Sequence, residues 1–284
     1  MIETMKTKEL IKEIHNYPSI KQSWGILGIL IFSTIFFIPI LFLLEKIIGE
    51  EFSFLAYYIL AFGVPLLIIH LIRKRKTGIA GYKFGLTPFK IIGLSVIAIV
   101  ALDLGLVLPI ISLIPTNEFV DKFFLNFVNE DSLLISSITI VIAAPILEEF
   151  IFRGIILDGL LKRYSPLKSI IFSSMLFGII HLNPWQFVSA FSLGLIAGWV
   201  YYKTANLTLP ILMHFASNFF AILAGHFSDD PMLQNQTLIE YYGGIFYFVI
   251  IILGALTIAT ISIIMLSKYF SKNPIKWQHT TCYT

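Results

Sequence analysis

The sequence predicts an all-α fold, a polytopic membrane bundle of about eight transmembrane helices with both termini in the cytosol. Three observations carry that prediction. The chain has 284 residues, of which 57% are hydrophobic and only 13% charged, a balance outside the range of soluble globular proteins. Its mean hydropathy is +0.86, and its apolar residues, 26 Phe among them, gather into runs of roughly twenty residues, the length of a helix crossing a hydrocarbon core. The basic residues, finally, fall almost entirely into alternate connecting segments.

Taken in order, the first run is Gly25 to Leu44. It follows a polar segment and has no small-residue cleavage site beyond it, so it reads as an anchor and not as a signal peptide. Seven further runs follow at 53–72, 91–114, 133–161, 166–182, 186–202, 207–226 and 241–266. Only helices satisfy their own backbones over such lengths in lipid. The fifth and sixth spans are shallowest in signal, being short and joined by the tight Asn183-Pro184 turn. With the N-terminus in the cytosol, 17 of the 20 Lys and Arg lie in cytosolic segments, from Lys6 through the Arg73–Lys76 cluster to Lys276. The outer loops keep Lys46 and Lys122 beside ten acidic residues, among them Glu118, Asp121, Glu130, Asp131, Asp229 and Asp230. This is the positive-inside pattern. A net charge of +3 is too small and scattered to argue for nucleic acid, and the single Cys282 excludes an intramolecular disulfide and any multi-cysteine metal cluster. The chain reads as one membrane domain over 1–284, without internal repeats. It comprises a cytosolic segment at 1–23, N-terminal spans at 24–132, a chemistry-bearing core at 133–226, and the last span with its tail at 227–284.

Five ionisable residues fall inside spans: Asp103, Glu148, Glu149, Arg153 and Asp158. Such groups are costly at membrane depth and are functional by default. Asp158 has a structural reading, because an acid four residues before Lys162 forms a favourable helix pair. Asp103 has no evident partner and stays unassigned. The other three form the unit Glu148-Glu149-Phe150-Ile151-Phe152-Arg153. Positions four apart share a helix face, whereas positions five apart diverge by about 140°. Arg153 therefore pairs with Glu149, in a structural role, and Glu148 is left with no counter-ion on its own helix. A poorly solvated, unpaired carboxylate suits general-base work near neutral pH.

Two histidines bear on the same place. The turn Arg163-Tyr164-Ser165-Pro166 lies midway in sequence between Glu148 and His181, and equal distance from the turn of an antiparallel hairpin means equal depth. In the seventh span His214 and Asn218 share a face, with Asn218 about 18 Å into its helix against about 20 Å for Glu148. One buried histidine is as readily an interhelical hydrogen-bonder as a catalyst. Coincidence of depth across three helices favours a functional pocket. His70 and His226, at span ends, read as structural, and His15 and His279 lie in the tails. The Gly194 and Gly198 pair has the small-xxx-small spacing of close helix packing.

These are the parts for adding water to a carbonyl: Glu148 with His181 to deprotonate the water, His214 and Asn218 to donate to the oxyanion. No serine or cysteine is placed as nucleophile, so hydrolysis would be direct. No cofactor is required by this scheme, although zinc stays open, since Glu and two His make a known catalytic ligand set; against it, the chain lacks a helical His-Glu-x-x-His.

Three motifs in order, EEFIFRG with Glu148, Glu149 and Arg153, then Phe177-x-x-x-His181, then His214-x-x-x-Asn218, resemble the intramembrane CAAX-protease and bacteriocin-processing proteins, the type II CAAX prenyl endopeptidase-like family. The resemblance covers about residues 140–225 and departs at no motif position. It implies a glutamate-dependent intramembrane endopeptidase reached from the cytosol, with Glu148 as water-activating acid, His181 as its partner, His214 and Asn218 as oxyanion donors, and Glu149 and Arg153 in support. It also implies a peptide or membrane-protein substrate in the lipid bilayer: a prenylated protein in eukaryotes, a peptide or bacteriocin precursor in bacteria. The Ile-, Phe-, Lys- and Asn-rich composition favours a prokaryotic plasma membrane and hence the second kind. Two readings of other classes compete: a non-catalytic peptide-binding immunity protein, and a transporter relaying protons or metal through Glu148 and the histidines.

Overall fold

The computed structural model describes residues 16–115, 133–227 and 237–275. The outer-loop residues Glu118, Asp121, Lys122, Glu130, Asp131, Asp229 and Asp230, and His15, His279 and Cys282 in the tails, lie outside the described residues, as does the side chain of His226.

Every described element is helical. α1 (Ile20–Phe36) starts from a capping box in which Ser19 and Gln22 satisfy each other's backbone N–H. It is separated from α2 (Ile38–Ile48) by a 41° bend, because Pro39 stands in the first turn of α2 and has no N–H to continue α1. The first expected span is thus a broken one. α3 runs over 50–77 and ends at Gly78, whose φ of 72° closes the last turn behind Lys74, Arg75 and Lys76. α4 is Phe89–Ile111, and α5 runs over 133–161. α6 (Pro166–Ile179) and α7 (Pro184–Thr204) form a hairpin, α8 (Thr208–Phe227) follows, and after the short α9 (Leu238–Tyr241) comes α10 (Ile245–Lys272). Phe52–Thr77, Phe89–Ile111 and Ile245–Lys272 are long and apolar enough to cross a membrane, and α1 with α2 makes a fourth if the bent pair is one span. The chain is therefore a helical membrane protein. α5 carries four ionisable residues along its length, and α6 is only 14 residues long, which sets both apart from ordinary lipid-facing spans.

Four helical turns are widened to π geometry: Ile59–Gly63 in α3, Asp103–Val107 in α4, and Thr139–Ala143 and Phe152–Leu157 in α5. The first three each stand directly before a turn that opens with a proline at its second position, Pro65, Pro109 and Pro145. A proline removes one backbone donor and presses on the carbonyl a turn earlier; a wider turn relieves both. The fourth has no proline. There, Ser173 Oγ of α6 donates to the Phe152 carbonyl at 3.0 Å, and a Cβ on Gly154 would come within 2.8 Å of the Tyr82 ring.

Two ties join α3 to α5. Tyr58 meets Glu148, and farther along both helices Arg73 meets Asp158 at 3.9 Å. Both numbers rise together, so the two helices run in the same direction. Asp158, 2% exposed, also accepts from Lys162 at 2.6 Å, Lys83 at 2.9 Å and Tyr201 at 3.2 Å. The expected pair with Lys162 is one part of a larger buried hub.

The α6–α7 hairpin closes on the glycine spacing. A Cβ on Gly194 would lie 2.7 Å from Ser174 Cβ, and one on Gly198 3.3 Å from Ile170 Cγ2. Gly194→Ala is therefore expected to lower stability by about 1–3 kcal/mol, the range for overpacking, and Gly198→Ala by clearly less. Thermal melts of the two variants in detergent check the order; equal melting would contradict the close approach at Gly194.

Candidate active site

The site is assembled around Glu148 and Glu149, which sit on the stretch of α5 between its two widened turns and are 4% and 0% exposed. Arg153, 1% exposed, turns back along the helix to place Nη1 2.7 Å from Glu149 Oε1. That ion pair is the one the four-residue spacing predicts. The same oxygen accepts from His214 Nδ1 at 3.0 Å, a contact that spacing within one helix does not reveal. With a carboxylate as acceptor, Nδ1 carries the hydrogen, and the other ring nitrogen faces the second carboxylate: His214 Nε2 is 3.8 Å from Glu148 Oε2. His214 thus lies between the two glutamates. Glu149 Oε2 and Arg153 Nη2 are buried without hydrogen-bond partners among the described residues, which makes this network expensive to disturb.

Glu148 has no partner on its own helix, as expected, but it is not alone. The Tyr58 hydroxyl of α3 donates to its Oε1. The direct Glu148–His181 contact inferred from equal depth is not among the hydrogen bonds or ion pairs of the described residues. That inference assumed regular helix on both sides of the turn. Instead α5 is widened over Phe152–Leu157, and α6 ends at Ile179, so His181 stands in the turn that follows. There its Nδ1 donates to the Phe177 carbonyl at 2.9 Å, while Asn183 Nδ2 donates to the His181 carbonyl at 2.9 Å and the Asn183 side chain caps α7 through Gln186 N.

Phe177 is the common neighbour. Its ring centroid is 5.4 Å from that of His181 and 5.5 Å from that of His214, both edge-on, and Arg153 Cζ lies 4.4 Å over its face. Asn218 spends one amide hydrogen on the Ile140 carbonyl at 2.7 Å, inside the first widened turn of α5; the second hydrogen of its amide is not used in that bond. Asp103, unassigned from sequence, accepts from Ser217 Oγ of α8 at 2.6 Å, and its Oδ1 is buried with no hydrogen-bond partner among the described residues. His70 donates to or accepts from the Tyr82 hydroxyl at 3.0 Å, away from this cluster.

The structure therefore brings Glu148, Glu149, Arg153 and His214 into direct contact and sets His181 beside them across Phe177. Sequence reasoning missed Tyr58, the Glu149–His214 bond and the Asp103–Ser217 pair. Tyr58 gave no signal, being one aromatic residue in an apolar run. Among the described residues no three His, Cys, Asp or Glu side chains are grouped to hold a metal ion.

A buried cluster of two carboxylates, an imidazole and a guanidinium between the helices marks this chain as a helical membrane protein with ionisable side chains packed in its interior. Residues 130–220 match the model of the family described as type II CAAX prenyl endopeptidase Rce1-like. The chain is similar to "Putative membrane peptidase YdiL" of Bacillus subtilis (strain 168), 29% identical over 110 residues that cover 37% of this chain and 44% of that protein. It is also similar to "Uncharacterized 24.3 kDa protein" of Escherichia coli, 31% identical over 117 residues that cover 39% of this chain and 54% of that protein. The chain thus spans about half the length of the curated relatives it matches. No solved structure matches it.

Proposed function

We propose that the chain is an intramembrane endopeptidase that hydrolyses a peptide bond of a membrane-associated peptide or protein with water activated by Glu148. The observation that carries the reading is the placement of Glu148 within the family-matched segment: its carboxylate is held from one side by Tyr58 and faces His214 Nε2 across 3.8 Å with the other oxygen. That separation is too long for a direct hydrogen bond and suits one water bonded to both groups.

Glu148 takes a proton from this water as the water oxygen attacks the scissile carbonyl carbon, and the electron pair of the C=O moves to oxygen. When both of its ring nitrogens carry hydrogen, His214 donates from Nε2 to that oxyanion, and Asn218 donates with its second amide hydrogen. The proton on Glu148 then passes to the leaving amine nitrogen as the C–N bond breaks, giving a carboxylic acid and an amine. His181, with Nδ1 engaged by the Phe177 carbonyl, presents Nε2 as an acceptor to the water beside Glu148. Glu149 fixes the orientation of the His214 ring by accepting from Nδ1–H, and Arg153 holds Glu149.

In this reading the eight apolar runs cross a prokaryotic plasma membrane, both termini are cytosolic, and substrate enters from the cytosolic side. The lysine-rich end of α5, marked by the Asp158 hub, lies ten residues from Glu148, about 15 Å along the helix. Peptide precursors and fragments of membrane proteins are the substrates of choice, bacteriocin or pheromone precursors among them.

The test is cleavage of a peptide panel by purified protein in liposomes, with and without a strong zinc chelator. Cleavage that survives chelation supports the glutamate mechanism. Cleavage lost on chelation and restored by zinc would make the same residues metal ligands, and binding without cleavage across a broad panel would favour the immunity reading.

A further inference from the structure

We infer that Tyr58 is a positioning residue of this site: brought in by α3 from outside the 130–220 segment, its hydroxyl holds Glu148 Oε1 and leaves Oε2 as the working oxygen. The inference deepens the reading of Glu148 as base and rests on it for its functional meaning.

A glutamate carboxylate turns in a broad, roughly two-fold well about its last torsion, so an unheld Glu148 would exchange its two oxygens. A single donor on one oxygen ends that exchange. The donor must itself be fixed, and Tyr58 is. Its ring stacks on Phe62 one turn later, with centroids 4.7 Å apart and planes at 10°, and Phe62 is buried at 7% exposure. Phe54, one turn earlier, meets the other end of the row at 6.3 Å. The widened turn Ile59–Gly63 begins at the next residue, so the phenol projects from the last regular turn of this half of α3.

The neighbouring tyrosine shows what a structural hydroxyl does on the same helix. Tyr57 donates to the Thr34 carbonyl of α1 at 2.9 Å, a bond between helices that reaches no ionisable group. Nor is Tyr58 needed merely to join α3 to α5, because Arg73 and Asp158 join the same two helices farther along. What the Tyr58 hydroxyl adds is the orientation of one carboxylate.

The test reads that carboxylate directly. Full-length wild type, Tyr58→Phe and Tyr57→Phe in liposomes are treated with dicyclohexylcarbodiimide, which adds to carboxyl groups in apolar surroundings, and the Glu148 adduct is quantified by mass spectrometry from pH 5 to 9. Tyr58→Phe keeps the stacked ring and loses only the donor, so its Glu148 labelling rate at neutral pH is expected to rise roughly tenfold, the factor for one hydrogen bond to a charged group. Tyr57→Phe should label as wild type while melting lower. On a peptide that wild type cleaves, Tyr58→Phe should lose kcat by a similar factor with KM unchanged. Should Tyr58→Phe fail to fold, Phe62→Leu, which keeps the hydroxyl and removes the ring it stacks on, should show a smaller change in the same direction. Equal labelling of Glu148 in wild type and variant, including none in either, overturns the inference whatever the cleavage result. A labelling difference together with a fully active Glu148→Gln would leave the positioning intact and overturn the reading of Glu148 as base.

Discussion

Glu148→Gln is expected to reduce peptide cleavage by roughly a hundred- to ten-thousand-fold, the contribution of a positioned general base, while leaving the amount of folded protein in the membrane unchanged. The two halves of that expectation come from the same geometry. The amide oxygen of Gln still accepts from the Tyr58 hydroxyl, so the direct hydrogen bond of the buried side chain is kept. Shape and burial are conserved. What disappears is the ability to take a proton from water and return it to the leaving nitrogen. Turnover per mole of folded protein, with folded yield measured by size-exclusion in detergent, separates the two effects. A fully active variant would refute the mechanism, and a variant lost from the membrane would show that the charge at 148 serves the fold instead.

Arg153→Ala should act on stability as strongly as on activity. It removes the guanidinium that is 2.7 Å from Glu149 Oε1 and 4.4 Å over the Phe177 ring, and so strands a carboxylate that is 0% exposed. Breaking a buried pair from one side costs about 3–5 kcal/mol because the remaining charge is uncompensated. Glu149 would keep its bond to His214, yet His214 would then be held by a carboxylate that has itself lost its anchor. Two companion variants sharpen the test. Arg153→Lys should recover only part of the loss, since a point charge on a flexible stem does not reproduce a planar fork stacked on an aromatic face. Adding Glu149→Gln to Arg153→Ala should recover some stability by removing the stranded charge, a coupling that a double-mutant cycle measures. Normal expression and melting of Arg153→Ala would contradict the pairing.

How much of this was legible in the sequence follows from the range of each interaction. The helical membrane class rests on composition and run length, which need no tertiary information, and the Glu149–Arg153 and Asp158–Lys162 pairs rest on helix periodicity alone. Periodicity also separated Glu148 from Glu149. Contacts between helices were harder. Depth counting drew His214 toward the glutamates, but paired Glu148 with His181, because counting presumes an unbroken α-helix and α5 is widened over Phe152–Leu157, between Glu148 and the turn. Tyr58 and Asp103 were out of reach because their partners, Glu148 and Ser217, lie 90 and 114 residues away. Pro39, Pro65, Pro109 and Pro145 did mark where the helices bend or widen, and reading them as such would have given three of the four widened turns. The fourth, Phe152–Leu157, has no proline to announce it.

Those widened turns bear on how the site tolerates change in chain length. A π turn holds one residue more than the α turn it replaces, and each residue of an α-helix advances the angular phase by about 100°. Excising a single residue from 152–157 would let that part of α5 relax to a regular turn and keep the Glu148-Glu149 pair in phase with Asp158, whose carboxylate is pinned by Arg73, Lys83 and Lys162. The same loss from a regular α turn, which stores no extra residue, would swing everything on one side of it by about 100° relative to the other. In α5 the widened turns are therefore where a related chain could be a residue shorter and keep its acidic groups in register, and the regular turn between them, which carries the glutamates, is where it could not.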